Sequence, residues 1–334
     1  MKVALTGVSG HVGAAVLREL LDQGHEVRAL LRHRDLRSVQ HLPVEIVSGD
    51  LLNPEALVPL MDDCTALVHC AAMISIHGDQ HGMVRKTNVD GVRNVLHAAR
   101  AAGIRRVIHV SSIHAFEQQP RDELLDETRA YVSDQAYAYD RSKREGQRIA
   151  LAENGNGMEI IVVNPTAVVG PFDYRPSRMG QLILDLLGGR RRVLTPGGFD
   201  FCDVREVSVG IVNALDRGTP GTCYLLGGKW QSLRSLAELL GTVTGTIIRP
   251  WIVPAAFARI GVPFALGVAR MTGQDPIYTH EALTAVFQGN RRISSVRAMN
   301  DLDYRVRPLE ETLRDTVRWF VAHGYLESGK YPLI

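Results

Sequence analysis

Residues 1–13 read MKVALTGVSGHVG and set Gly7, Gly10 and Gly13 three apart, directly behind a short apolar run. KVALT (2–6) has the composition of a buried strand. VGAAVLRELLDQG (12–24) carries apolar residues at helical spacing and ends on Gly24. A strand, a glycine-spaced turn and a helix in that order form a cradle for the pyrophosphate of a dinucleotide. Gly7 permits the tight turn, Gly10 lets the backbone approach the anion, and Gly13 lets the helix pack closely on the sheet. The helix N-terminus adds unpaired N–H groups aimed at the anion. The contacts expected from this loop are Gly7, Ser9, Gly10, His11, Val12 and Gly13.

The same alternation continues outward. HEVRALL (25–31), VEIVSGD (44–50), ALVHCAA (66–72), RRVIHVSS (105–112) and EIIVVNP (159–165) are short β-rich runs, separated by helical stretches such as PEALVPLMDD (54–63) and NVDGVRNVLHAARAAG (88–103). Strands alternating with helices predict an α/β fold, a doubly wound parallel sheet with right-handed crossovers. After Pro165 the rhythm changes: Gly, Pro and Arg crowd GPFDYRPSRMG (170–180) and LGGRRRVLTPGGFDF (187–201), and later segments are helical but irregular. The division expected is a dinucleotide-binding domain over 1–168 and a smaller, mostly helical substrate lobe over 169–334. The two are interleaved, because single strands are expected to return to the main sheet around 201–226.

Composition excludes several classes. The 334 residues are 45% hydrophobic and 22% charged, with net charge +2, so no global field points to nucleic acid or an anionic membrane. Cys64, Cys70, Cys202 and Cys223 show no CxxC spacing, which reads as reduced thiols of a cytoplasmic protein without a metal centre. The first strand begins at about Lys2 and leaves no room for a signal peptide. Trp251–Met271 is the most apolar stretch. Pro254, Arg259 and Pro263 interrupt it, so it reads as buried, substrate-lining or surface-lying helix rather than a membrane span.

The Thr6-Gly7-x-x-Gly10-x-x-Gly13 spacing resembles the short-chain dehydrogenase/reductase family, particularly its extended, epimerase/dehydratase-like branch. Further segments extend the likeness. GDLLNPEAL (49–57) resembles the adenine-edge segment, which implies Asp50 as acceptor from the exocyclic amine and Leu51 as cover for the ring. HCAAM (69–73) is similar to the loop beneath the pyrophosphate and nicotinamide ribose, implying contacts from Ala71, Ala72 and Met73. KTNVDGVRNVLHAA (86–99) resembles the helix carrying a central asparagine, here Asn88. NPTAVVGP (164–171) resembles the loop against the nicotinamide carboxamide, with Pro165, Thr166 and Val168. The end of the second strand separates NAD from NADP. An NAD enzyme tends to place an acid there for the ribose 2′-OH, whereas HEVRALLRHRDLR (25–37) has Leu31 and then Arg32, with Arg34 and Arg37 following. A guanidinium suits a 2′-phosphate, so NADP is expected, with Arg32 as main contact and Arg37 as helper; Asp35 keeps NAD as the alternative.

YDRSK sets Tyr139 and Lys143 four apart, on one face of a helix. A free tyrosine has pKa about 10 and is a poor catalyst at neutral pH. A nearby ammonium favours the phenolate and draws that value down, and Lys143 is also suited to hold the nicotinamide ribose. HVSSIHAF (109–116) supplies a hydroxyl donor. The resemblance to ketosteroid-type and flavonoid-type reductases implies that Ser112 polarises the substrate carbonyl, with Ser111 as the alternative, and that Asn88 joins a water-mediated proton relay. The catalytic set is then Ser112, Tyr139, Lys143 and Asn88.

The resemblance covers nearly the whole chain and is closest to dihydroflavonol reductases and 3β-hydroxysteroid-type dehydrogenases. It implies NADPH-dependent reduction of a small-molecule ketone or aldehyde by a monomer or homodimer. The alternative is a nucleotide-sugar epimerase or dehydratase that retains NAD, with Arg190–Arg192 and Arg291–Arg292 on a diphosphate. Against it stands Ile113-His114, where dehydratases tend to carry an Asp-Glu pair. A non-catalytic, cofactor-sensing relative is the third class, but this chain keeps both Tyr139 and Lys143.

Overall fold

The protein, described from a computed structural model, is characterised over residues 1–32, 35–191, 193–257 and 279–334. Arg34, Arg192 and residues 258–271 of the apolar stretch lie outside them. Seven strands form the main sheet: β1 (Lys2–Thr6), β2 (Glu26–Leu31), β3 (Glu45–Ser48), β4 (Ala66–His69), β5 (Arg106–Val110), β6 (Glu159–Pro165) and β10 (Cys223–Leu226). They pair in the order β10-β6-β5-β4-β1-β2-β3, and every pair is parallel. This is the doubly wound sheet expected from the strand–helix alternation.

The inner strands are apolar throughout because both faces are covered. Helices His11–Asp22 and Val204–Arg217 pack on one face, against Val3, Leu5, Val68 and Ile108. On the other face Leu67, Val107 and Val162 meet helix Gly91–Ala101 and the start of helix Ala138–Ala152 brings Tyr139 and Lys143 to the sheet end. β3 is the exposed edge, where Glu45 pairs with Lys2 and Arg28. Charge on an edge strand discourages pairing with another chain. Among the described residues, no helix is long and apolar enough to cross a membrane.

The expected return of strands from 201–226 is met by one strand and not by another. Only β10 enters the main sheet, beside β6. β9 (Gly198–Asp203) instead lies in a second sheet between β7 (Ala167–Val169) and β11 (Lys229–Ser232), and β8 (Val193–Leu194) pairs apart from both with β12 (Trp251–Ile252). The reason is that β9 serves two cores: Cys202 faces the core under the main sheet, and Phe201 faces a second one. That second core gathers helices Arg178–Leu187, Leu233–Thr244 and Leu309–Ala322 around Leu240, Trp319 and Phe320. Asp303 sits at φ 52° as the C-cap of helix Val296–Leu302. Asp is among the few side chains that tolerate this left-handed region.

Asp203 fastens the two cores together. Its side chain is fully buried and accepts from Arg205 Nη2 at 2.7 Å and from Thr312 Oγ1 at 2.7 Å, with Arg307 Nε at 3.7 Å. Burial acts to raise its pKa, but Arg205 and Thr312 outweigh it and hold the carboxyl below the usual range. Asp203→Ala removes the shared acceptor of Arg205 and Thr312, while Arg205 keeps Asp315 and Arg307 keeps Glu206, an expected loss of about 2 kcal/mol in urea unfolding at neutral pH. The folded-state pKa lies below the unfolded one. The contribution is therefore complete above the ordinary carboxylate range and lost as pH falls through the folded value, and the gap between wild type and variant closes in acid.

Candidate active site

The cradle is built backbone against backbone. Gly7 has φ +79°, and a Cβ there would lie 2.5 Å from Ala71 N and 2.7 Å from Cys70 C. A Cβ on Gly13 would strike the Gly7 carbonyl. Helix His11–Asp22 starts from Gly10, which offers no side-chain cap, and its first turn carries no acid. Its leading N–H groups are thus left for an anion, and the residues present fit a dinucleotide pyrophosphate. Thr6 Oγ1 accepts from Ala71 N at 3.3 Å, tying the end of β1 to the 70–73 loop. His11 turns away and donates from Nε2 to the Pro171 carbonyl at 2.9 Å.

At the end of β2, Arg32 is 55% exposed and its Nη1 lies 3.8 Å from Asp50 Oδ2. Asp50 also accepts from Leu52 N at 2.9 Å, while Leu51 is buried beside Gly91. Asp35 is fully engaged: it accepts from Arg37 Nε at 2.9 Å and Nη2 at 2.7 Å, and from Arg175 Nε at 2.8 Å. These bonds hold its carboxyl far below the usual range. Arg37 donates further to the Tyr325 hydroxyl at 3.1 Å.

Asn88 lies in a π-helical turn, Lys86–Asp90, that precedes helix Gly91–Ala101. Its amide clasps the 70–73 loop, accepting from Met73 N at 2.7 Å and donating to Met73 O at 2.9 Å. Nδ2 also donates to Ser142 Oγ at 2.9 Å. The side chain therefore joins the loop to the Tyr139 helix. Pro165 ends β6, the Thr166 N–H donates to the Leu226 carbonyl at 3.3 Å, and Val168 pairs with Cys202, so this segment is held between the two sheets.

The helix Ala138–Ala152 brings Tyr139 and Lys143 to the end of β5, both buried. Ser112 sits at that end, its hydroxyl close enough to act on Tyr139 and accepting from His114 N at 3.2 Å. The Ser111 hydroxyl is buried and has no hydrogen-bond partner among the described residues. Burial pushes Tyr139 up to about 12, with Ser112 and Arg178 acting downward and Asp140 upward. Lys143 is thus not what tunes the tyrosine here, contrary to the expectation from spacing. Its ammonium is turned to the Val110 carbonyl, 3.0 Å away, and burial brings it down to about 8 against the influence of Cys70.

The spacing of motifs did not point to three charged residues of this site. Asp140 Oδ1 lies 3.0 Å from Nδ1 of His114, whose ring meets the Tyr139 ring edge-on at 5.6 Å. The His114 pKa is raised: burial acts downward, and Asp140 outweighs it. Glu281, on helix His280–Gln288, accepts from Gly78 N at 3.2 Å and closes the same wall. Arg175 arrives from a loop 140 residues after Asp35. Nothing local marks it.

The model of the NAD dependent epimerase/dehydratase family matches residues 3–227, and the chain belongs to that family. It is 30% identical to a sterol demethylase protein B of Methylococcus capsulatus, over 98% of this chain and 100% of that one. It is 32% identical to a putative dihydroflavonol 4-reductase of Synechocystis, over 97% and 96%. The crystal structure of gox2253 superposes with a TM-score of 0.82 at 29% identity, covering 98% of this chain and 99% of that one. The protein is an enzyme of the NAD(P)-dependent oxidoreductase and epimerase class within the extended short-chain dehydrogenase/reductases.

The environment of Tyr139 yields a direct test. An ultraviolet difference titration of wild type against Tyr139→Phe should place the phenolate midpoint at about 12, above the usual value of about 10. Ser112→Ala should move it higher and Ser111→Ala should leave it in place.

Proposed function

We propose that the protein is an NADPH-dependent reductase of a ketone or aldehyde on a small to medium, apolar organic substrate. The observation that carries this reading is the end of β2. There the Asp35 carboxylate is taken up by Arg37 and Arg175, and Arg32 is more than half exposed, 3.8 Å from Asp50. A neutral ribose hydroxyl would have to draw Asp35 out of these bonds, whereas a 2′-phosphate would meet guanidinium groups.

A bound nicotinamide would supply the hydride that the carbonyl carbon takes up. Tyr139 gives the proton to the oxygen and Ser112 donates a hydrogen bond as charge develops on it, in a pocket whose burial strengthens both effects. Raised to about 12 by burial, Tyr139 is protonated at neutral pH but is a weak acid; the alkoxide that forms on the substrate is basic enough to take its proton, and Ser112 acts to lower the value. Lys143 has N–H donors beyond the one spent on Val110 and serves to hold the nicotinamide ribose. Asn88 acts on the floor of the site through Met73 and Ser142.

The nucleotide-sugar alternative needed arginine clusters for a diphosphate. Arg190 and Arg191 are paired with Asp185, at 3.0 and 3.8 Å, and Arg291 lies 3.3 Å from Asp122 and over the Trp230 ring. These pairings support the reductase over the epimerase.

The test is carbonyl-dependent loss of absorbance at the nicotinamide band with NADPH. Tyr139→Phe should lower kcat/KM by at least ~100-fold and Ser112→Ala by roughly 100-fold, with Ser111→Ala near wild type. Arg32→Ala should weaken NADPH roughly 10-fold and spare NADH. Tightly held, non-exchanging NAD with no net oxidation would overturn the reading.

A further inference from the structure

The loop Gly170–Ser177 runs beside the nucleotide cradle and is fastened along its length. Pro171 O takes the bond from His11, at the start of the cradle helix. Arg18, on the same helix, donates to the Tyr174 hydroxyl at 2.7 Å and lies over the Phe172 ring at 4.7 Å. Asp173 accepts from Ser177 N and Oγ, both at 2.8 Å. Between these anchors the loop delivers Arg175 to the end of β2. The pyrophosphate belongs at the helix N-terminus and the adenosine ribose at the end of the second strand, so the loop follows the adenosine half of the site.

At its far end two guanidinium groups converge on one oxygen. Asp35 Oδ2 accepts from Arg37 Nη2 at 2.7 Å and from Arg175 Nε at 2.8 Å. All three side chains reach solvent: Arg37 is 53% exposed, Arg175 42% and Asp35 20%. One carboxylate between two guanidinium groups leaves a net positive charge, and Arg32 stands at the same strand end. A phosphate dianion carries more charge than the carboxylate and offers three acceptor oxygens in a geometry that matches guanidinium forks. A ribose hydroxyl brings no charge and has to draw Asp35 away from three charge-assisted bonds.

We propose that Arg175 is a specificity-determining residue for the adenosine 2′-phosphate: Arg37 and Arg175 exchange the Asp35 carboxylate for that phosphate, and Asp35 is the internal anion against which cofactor choice is set. The inference rests on the NADPH reading above and adds to it a ligand from outside the β2 turn, together with a competitor that both cofactors meet. It also ties cofactor choice to the C-terminal region, since Arg37 donates to Tyr325, whose hydroxyl donates to the Tyr174 carbonyl at 2.6 Å.

The experiment measures dissociation constants by calorimetry for NADPH, NADH, 2′,5′-ADP and 5′-ADP on wild type, Arg175→Gln and Asp35→Asn. Arg175→Gln should weaken NADPH and 2′,5′-ADP by roughly 10-fold or more and leave NADH and 5′-ADP within about twofold. Asp35→Asn removes the competing anion and should tighten NADPH and 2′,5′-ADP severalfold. An equal loss of NADPH and NADH in Arg175→Gln, or no change in either, overturns the role of Arg175. Weaker NADPH binding in Asp35→Asn overturns the exchange. A wild type that binds NADH more tightly than NADPH defeats the NADPH reading itself. A wild type that prefers NADPH, with Arg175→Gln unaltered, defeats only this inference.

Discussion

Everything in the site depends on a contact between backbones. The turn at Gly7 lies against the Cys70–Ala71 peptide, and Gly13 lies against the Gly7 carbonyl, with no room for a side chain at either place. This contact sets the distance between β1, the β4 loop and the first helix, and so the position of the anion-binding N-terminus relative to the sheet end. Asn88 then fixes the same loop from the other side and hands its position to the Tyr139 helix through Ser142. The cofactor cradle and the catalytic helix are thus registered on one short loop.

Burial is the second constraint. Tyr139 and Lys143 are both taken out of water, and each is driven toward its neutral form, the tyrosine upward and the lysine downward. Burial of this kind holds the proton on the phenol and lowers the cost of deprotonating the ammonium. The wall opposite is charged, with His114 held by Asp140 and with Glu281 beyond. The reacting pair is therefore shielded while its rim is polar.

What was legible in the sequence was whatever repeats at a fixed local period. The glycine turn, the alternation of strands and helices, and the Tyr139–Lys143 pair all express such a period, and the fold has each of them. Ser112 and Ser111 are adjacent in sequence, so the choice between them needed the direction of each side chain at the strand end. β9 reads as an ordinary strand, and its sequence does not reveal that its two faces belong to different cores. Asp35 illustrates the limit most clearly. From sequence it is an available acid near the ribose, but an arginine 140 residues away occupies it, and long-range pairing leaves no local trace.

The π-turn at Lys86–Asp90 carries a further consequence. Such a turn accommodates one surplus residue within a helical path. Deleting a residue there would restore an even spiral but rotate everything before it by roughly 100° about the axis. Asn88 would then swing off the Met73 peptide, and the 74–82 loop would follow. The length of this short stretch is therefore as tightly constrained as its chemistry, and lineages of this fold are expected to vary its side chains more readily than its residue count.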